Sequence, residues 1–228
     1  MFASRINLIH KALLLSLILS SLIPVLIRVF RSEWNGPWFM ISDLGTKAPG
    51  SYFFTIGAII SSILMILIGI HFWQMENDSH PNIRRIVTFF VFVWAIGIAM
   101  TGSFSSNKYP SLHLVGAMFV FTCASFASFF IVLWSKKSGD STPPVLGGYW
   151  LPSLSIIITI AFHISHEVAH RMHPEVIFMS EMGDNPSWFA LFTTLEWILG
   201  LMMLLILWSF KPLIETQNSH KSLSSNQF

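Results

Sequence analysis

Long stretches without a charged residue, separated by short polar ones, make up most of this chain. The uncharged runs cover 12–27, 48–75, 86–107, 109–135 and 141–166, and a last run, 185–210, is interrupted only by Glu196. A hydrocarbon core about 30 Å thick takes about 20 helical residues to cross. The pattern predicts helices over 8–28, 53–73, 86–104, 112–134, 149–169 and 188–209. The runs are continuously apolar, unlike the alternating segments of about ten residues that line a membrane β-barrel. A helix also satisfies its own backbone polar groups in lipid. The predicted fold class is therefore all-α: a polytopic membrane protein, a six-transmembrane-helix bundle with cytosolic N- and C-termini.

Composition supports this reading. Apolar residues make up 53% of the 228 and charged residues only 11%, against about a quarter charged in a soluble domain. No loop between the runs is long enough for a folded domain, and nothing in the balance of charge suggests nucleic acid. The first run follows Arg5 and Lys11 but no small-residue cleavage site precedes Arg28, so it reads as a retained signal anchor. The one cysteine, Cys123, lies inside the fourth run; it excludes an intramolecular disulfide and reads as packing.

The orientation comes from Lys and Arg, which accumulate in cytoplasmic loops. Arg5, Lys11, Arg84, Arg85, Lys136, Lys137, Lys211 and Lys221 fall on one side, and Arg28, Arg31, Lys47, Lys108 and Arg171 on the other. The larger set is assigned to the cytosol, with Arg28 and Arg31 opposing the rule. Trp34, Trp38, Trp73, Trp134, Trp150, Trp188 and Trp208 fall near helix ends, where indole rings anchor at headgroups. The sequon at Asn77 then lies in the cytosol and goes unused. Gly97, Gly102, Gly116 and Ala117 read as points of close helix approach. From Thr216 the tail is rich in Ser, Asn and Gln and is expected to be disordered.

Three groups of residues stand out as candidate sites. In the first luminal loop Ser42, Asp43 and Gly45 form a turn, and Asp43 is placed to pair with Arg28 or Lys108. Inside the spans His113 and Glu196 are ionisable, and a charge at mid-bilayer costs at least about 2.5–3.5 kcal/mol, so each should face the interior and find a partner. Structural pairing is the favoured reading for both, and a ligand or headgroup contact the alternative.

The run Phe39, Met40, Ile41, Ser42, Asp43, Leu44, Gly45, Thr46 with Ala48 and Pro49 resembles the signature after the first span of the DRAM/Frag/Sfk superfamily, in its DRAM (damage-regulated autophagy modulator) branch. His113, Leu114, Val115, Gly116, Ala117 resembles its His-x-x-Gly-Ala element. Thr193, Thr194, Leu195, Glu196, Trp197 resembles its Glu-Trp element. The resemblance implies a six-span membrane domain over 1–212 with a disordered cytosolic tail over 213–228. It also implies a non-catalytic regulator, linked to autophagy and lysosomes or to membrane-lipid organisation. Expected partners are membrane lipids and a membrane protein. The expected address is the lysosomal or endosomal membrane, with the plasma membrane or Golgi/ER as alternative. No cofactor is expected.

One constellation lies outside those motifs. His163, His166, His170 and His173 fall within about 80° of arc on one helix, with Glu167 beside them. His166-Glu167-x-x-His170 spells the pattern in which two imidazoles one turn apart hold zinc and the Glu serves as general base. A catalytic site needs a third ligand, for which Glu196, Glu181, Asp184 and His113 are the candidates. A zinc-dependent membrane hydrolase is therefore the alternative function. The favoured reading is structural or pH-responsive, since histidines tolerate the interface where helices meet water and titrate near 6.5.

Overall fold

A computed structural model of the chain describes residues 5–31, 41–75, 80–137, 148–172 and 186–210. Six α-helices make up the bundle: α1 (Ile6–Phe30), α2 (Gly50–Trp73), α3 (Pro81–Ser103), α4 (Pro110–Lys137), α5 (Trp150–Met172) and α6 (Pro186–Trp208). A short 3-10 turn, Ile41–Gly45, lies between α1 and α2. Large apolar side chains face outward on every helix, among them Leu8, Phe53, Phe89, Met118, Ile157 and Leu201. A helix apolar all round belongs in lipid or in a core.

The expected six spans are corrected to five. Among the described residues α1 to α5 are long and apolar enough to cross a membrane, whereas the corresponding stretch of α6 is only Thr193–Trp208. In α6 that stretch carries Glu196 near its start, a carboxylate that is costly in hydrocarbon. The same-side placement of the two termini rested on six crossings and falls with that number. The tail over 213–228, the sequon at Asn77 and the anchors Trp34 and Trp38 lie outside the described residues.

α1 to α4 are joined by close approaches that small residues permit. Gly97 of α3 and Gly116 of α4 face each other: a Cβ on Gly97 would meet the backbone nitrogen of Val120 at 2.8 Å and the carbonyl of Gly116 at 2.9 Å. Hydroxyls secure the same contacts. Ser62 of α2 donates to the carbonyl of Ala95 at 2.8 Å, Thr55 to Gly102 at 2.8 Å, and Ser16 of α1 to Gly57 at 3.1 Å. Such bonds remove polar groups from lipid without holding helices apart. Ser125 of α4 meets Ser155 and Thr159 of α5 at 2.6 and 3.2 Å.

The end of the bundle away from the 3-10 turn is filled by rings. Phe72 packs edge-on against Trp134 and tilted against Phe210, which meets Trp94 edge-on. Trp134, expected at the interface, is in fact buried in this cluster, while Trp73, Trp150 and Trp208 are exposed as anchors should be. Position near a helix end does not reveal which way a ring faces, and Trp134 faces inward. At this end His10 of α1 also bonds the carbonyl of Leu207 of α6 at 2.7 Å.

The Gly97 contact has a direct test. The atoms that a Cβ would meet there include backbone, so a valine cannot be accommodated by rotamer changes alone. Gly97→Val is expected to destabilise the protein by about 1–3 kcal/mol, the usual range for overpacking, seen as a lower thermal midpoint in mild detergent. Leu8→Ala, on the exposed face of α1, should leave the midpoint unchanged.

Candidate functional site

At the end of the bundle that holds the 3-10 turn, three segments distant in sequence meet. Leu44 is fully buried and anchors the turn. The backbone N–H of Ile41 donates to Glu196 Oε2 of α6 at 3.0 Å. Gly200, one helical turn beyond Glu196, leaves room for the Ile41 side chain, since a Cβ there would come within 2.7 Å of its Cδ1. From the other side Arg28, in the last turn of α1, donates to the carbonyl of Asp43 and, at 3.2 Å, to the hydroxyl of Thr46. Thr46 in turn donates to the same carbonyl at 2.7 Å. The turn is thus bonded to α1 by a guanidinium and to α6 by a carboxylate.

Beneath this joint is a cavity of about 370 Å³. Its walls come from five helices, with Leu17 to Val25 of α1 and Glu196 to Leu204 of α6 on its two sides and Ile98, Ala117 and Phe121 behind. The lining residues Ile18, Leu22 and Leu201 are themselves exposed, by 44%, 46% and 59%. The cavity therefore opens sideways between α1 and α6, on the surface that faces lipid. Glu196 is buried and lines it, as does Trp197.

The expected site residues fall into three groups. Glu196 and the Ile41–Gly45 turn come together, although Asp43 meets Arg28 through its backbone carbonyl, not through a carboxylate pair alone. His113 does not join them. Its ring is buried and Nδ1–H donates to the carbonyl of Phe104 at 2.6 Å, closing the end of α3. The neighbours of His113 on α4 have separate tasks: Gly116 admits α3, and Ala117 lines the cavity. The side chain of Ser42 lies outside the described residues.

The histidine stripe is elsewhere, on α5. His163 packs against Phe162, with ring centroids 5.7 Å apart. Glu167, the expected base, lies on the surface with its Oε1 2.8 Å from Arg171 Nε, one turn along the same helix. The side chain of His170, and His173, Glu181 and Asp184 entirely, lie outside the described residues. Among the described residues no group of three or more His, Cys, Asp or Glu side chains is placed to hold a metal.

The cavity was not foreseen from the sequence, whereas Arg28 was expected as a partner of Asp43 and meets it through the backbone carbonyl. Arg28 did carry a signal, because in the expected orientation it opposes the positive-inside distribution, and such a cation needs a structural reason. The three resembling motifs now have a common setting, since the turn, Ala117 and the Glu196-Trp197 pair all border one cavity. Residues 3–212 match the family described as Frag1/DRAM/Sfk1/Cwh43P N-terminal domain. The chain belongs to this family. No curated protein and no solved structure gives a significant match. As a family member with five helices able to cross a membrane, it is a multi-pass integral membrane protein.

Two predictions arise from this geometry. Glu196→Ala leaves the Ile41 N–H without its acceptor, a loss of about 1–3 kcal/mol for a buried group, while Glu196→Gln keeps a carbonyl oxygen in reach. Thermal unfolding in detergent should rank wild type, then Glu196→Gln, then Glu196→Ala. Equal midpoints for the two variants would show that the bond contributes nothing. Protein purified without chelator is expected to hold far less than one zinc per chain by elemental analysis, with no midpoint change on adding EDTA; stoichiometric zinc, retained in Glu167→Gln, would restore the hydrolase reading.

Proposed function

We propose that this protein acts without catalysis, as a membrane regulator that holds a lipid from the surrounding bilayer in the cavity between α1 and α6. The observation that carries the reading is the sideways opening of that cavity onto the lipid-facing surface, under a joint made of the family-like motifs. At about 370 Å³ it is within the range of small-molecule sites, about 300–1,000 Å³. A methylene is similar in size to a water molecule, about 30 Å³, so the cavity takes about a dozen of them. That is most of one acyl chain, with the remainder left in the bilayer.

A lipid there would act as a structural element. Away from the His10–Leu207 bond, α1 and α6 are bridged chiefly through the 3-10 turn, which Arg28 grips from one side and Glu196 from the other. A chain seated between them adds apolar contact to both helices, worth about 25 cal/mol per Å² buried. Occupancy thereby sets how firmly the turn is held and what surface that end of the bundle offers to a membrane-protein partner. Family membership supports a role in lysosomal or endosomal membranes linked to autophagy, or in lipid organisation at the plasma membrane or Golgi/ER.

Native mass spectrometry of the protein released from mild detergent provides the test. Wild type is expected to carry one lipid mass, and Ala117→Phe, which places a ring in the cavity, to lose it while keeping its fold by size exclusion. A lipid mass equally present in both, or absent from wild type extracted without delipidation, contradicts the reading.

A further inference from the structure

We infer that the corner where α1 ends and α2 begins binds the phosphate of an anionic phospholipid between Arg31 and Lys47. Ser20, Pro24, Ile27 and Arg31 recur on one face of α1, and that face is the seam with α2: a Cβ on Gly57 would meet Ser20, and one on Gly50 would meet Pro24 at 3.3 Å. At the end of the row Arg31 Nη1 donates to the carbonyl of Ala48 at 3.3 Å. Ala48 directly follows Lys47, so two cations meet at one short segment, and both side chains are exposed. Among the described residues Arg31 makes no other polar side-chain contact, and Lys47 makes none. Arg28, by contrast, is engaged with Asp43 and Thr46, and Glu196 is buried against Ile41. Glu33, the acid nearest to Arg31 in sequence, lies outside the described residues.

No described contact accounts for Lys47. It stands just ahead of Gly50, the first residue of α2, where the positive end of the helix dipole disfavours a cation. The first turn of α2 holds no acidic residue to offset it, and Arg31 adds like charge. Two exposed cations at one point repel each other, and an anion between them turns that repulsion into attraction. A phosphate fits in particular: a guanidinium presents a fork of N–H donors and an ammonium three more, and phosphate oxygens accept from both. The bilayer supplies a phosphate that carries its own anchor. Arg31 and Lys47 border exposed apolar side chains, Phe30 at the end of α1 and Tyr52 and Phe53 in the first turn of α2, along which the acyl chains lie once the headgroup is seated. This corner is separate from the cavity, which opens between α1 and α6, so it stands whether or not the cavity holds a lipid.

Dioleoyl phosphatidic acid and dioleoyl phosphatidylcholine share their tails and differ in the charge of the headgroup. The full-length protein is reconstituted in nanodiscs containing both, and the lipid it retains in native mass spectrometry is compared with the bulk ratio. Wild type is expected to enrich phosphatidic acid by about tenfold, since each of two basic residues at the membrane surface adds a severalfold attraction. Arg31→Gln with Lys47→Gln should bring the enrichment below about threefold, and Lys47→Gln alone to an intermediate value. Arg85→Gln with Lys137→Gln, exposed cations at the start of α3 and the end of α4, should keep it, as should folded Ala117→Phe. No enrichment by wild type, or enrichment that survives loss of both Arg31 and Lys47, overturns the inference and leaves lipid holding in the cavity intact. Loss of enrichment in either control places the anion elsewhere and overturns it too. Displacement of the lipid by inorganic phosphate would assign the corner to a soluble anion, against the inference. Lys47→Gln removes a side chain that makes no described contact, so it decides even if the double variant fails to fold.

Discussion

A polar group inside hydrocarbon must find its partner within the protein, because lipid offers none. Nearly every lateral contact described here obeys that constraint. Serines and threonines on α1 to α4 return their protons to backbone carbonyls, some on their own helix and some on the next, so that a hydroxyl either disappears from the surface or fastens two helices. The same requirement explains the 3-10 turn. It lies outside any helix, so its N–H and C=O groups need other partners, and a carboxylate and a guanidinium from two different helices meet part of that need. Glu196 and the Ile41 amide would each be costly alone; together they are a joint.

The helices were legible because hydropathy reports thickness, and thickness is what lipid imposes. Their ends were less so. α3 begins at Pro81, before Arg84 and Arg85, and α4 runs on to Lys137, since a helix continues through the headgroup layer after its apolar run has stopped. The span number differs at α6, where the last run includes a carboxylate bound to a loop. Trp134 failed because periodicity near a helix end does not fix which face is buried.

The site was legible in pieces. Asp43, His113 and Glu196 stood out as ionisable groups in apolar surroundings, which marks a residue that needs a partner but does not say which. Glu196 accepts from a backbone amide and His113 donates to a backbone carbonyl, and neither backbone group has a side-chain signature to search for. The histidine stripe is the converse case. Its spacing was that of a zinc motif, yet an Arg one turn from Glu167 provides an ion pair at 2.8 Å on an exposed face. Spacing along one helix cannot show whether ligands from a second segment arrive.

The cavity was invisible in sequence because it depends on how unevenly the helices are fastened. From α1 through α4 each pair is closed by a small residue facing backbone or a β-carbon, as at Gly57, Gly102 and Gly116. Between α1 and α6 the facing residues are Leu17, Ile18, Leu22, Leu201 and Leu204, bulky and branched. Side chains of that size keep two helix axes apart, and their flexible ends cannot fill the interval evenly, so space remains where a close-packed seam would have left none. A void in a soluble core is a loss of contacts, but one that opens onto a bilayer is filled by the solvent itself. Bulk at this seam and small residues between α1 and α4 therefore leave a lateral opening on one side of the described bundle, beneath the turn that Arg28 and Glu196 hold.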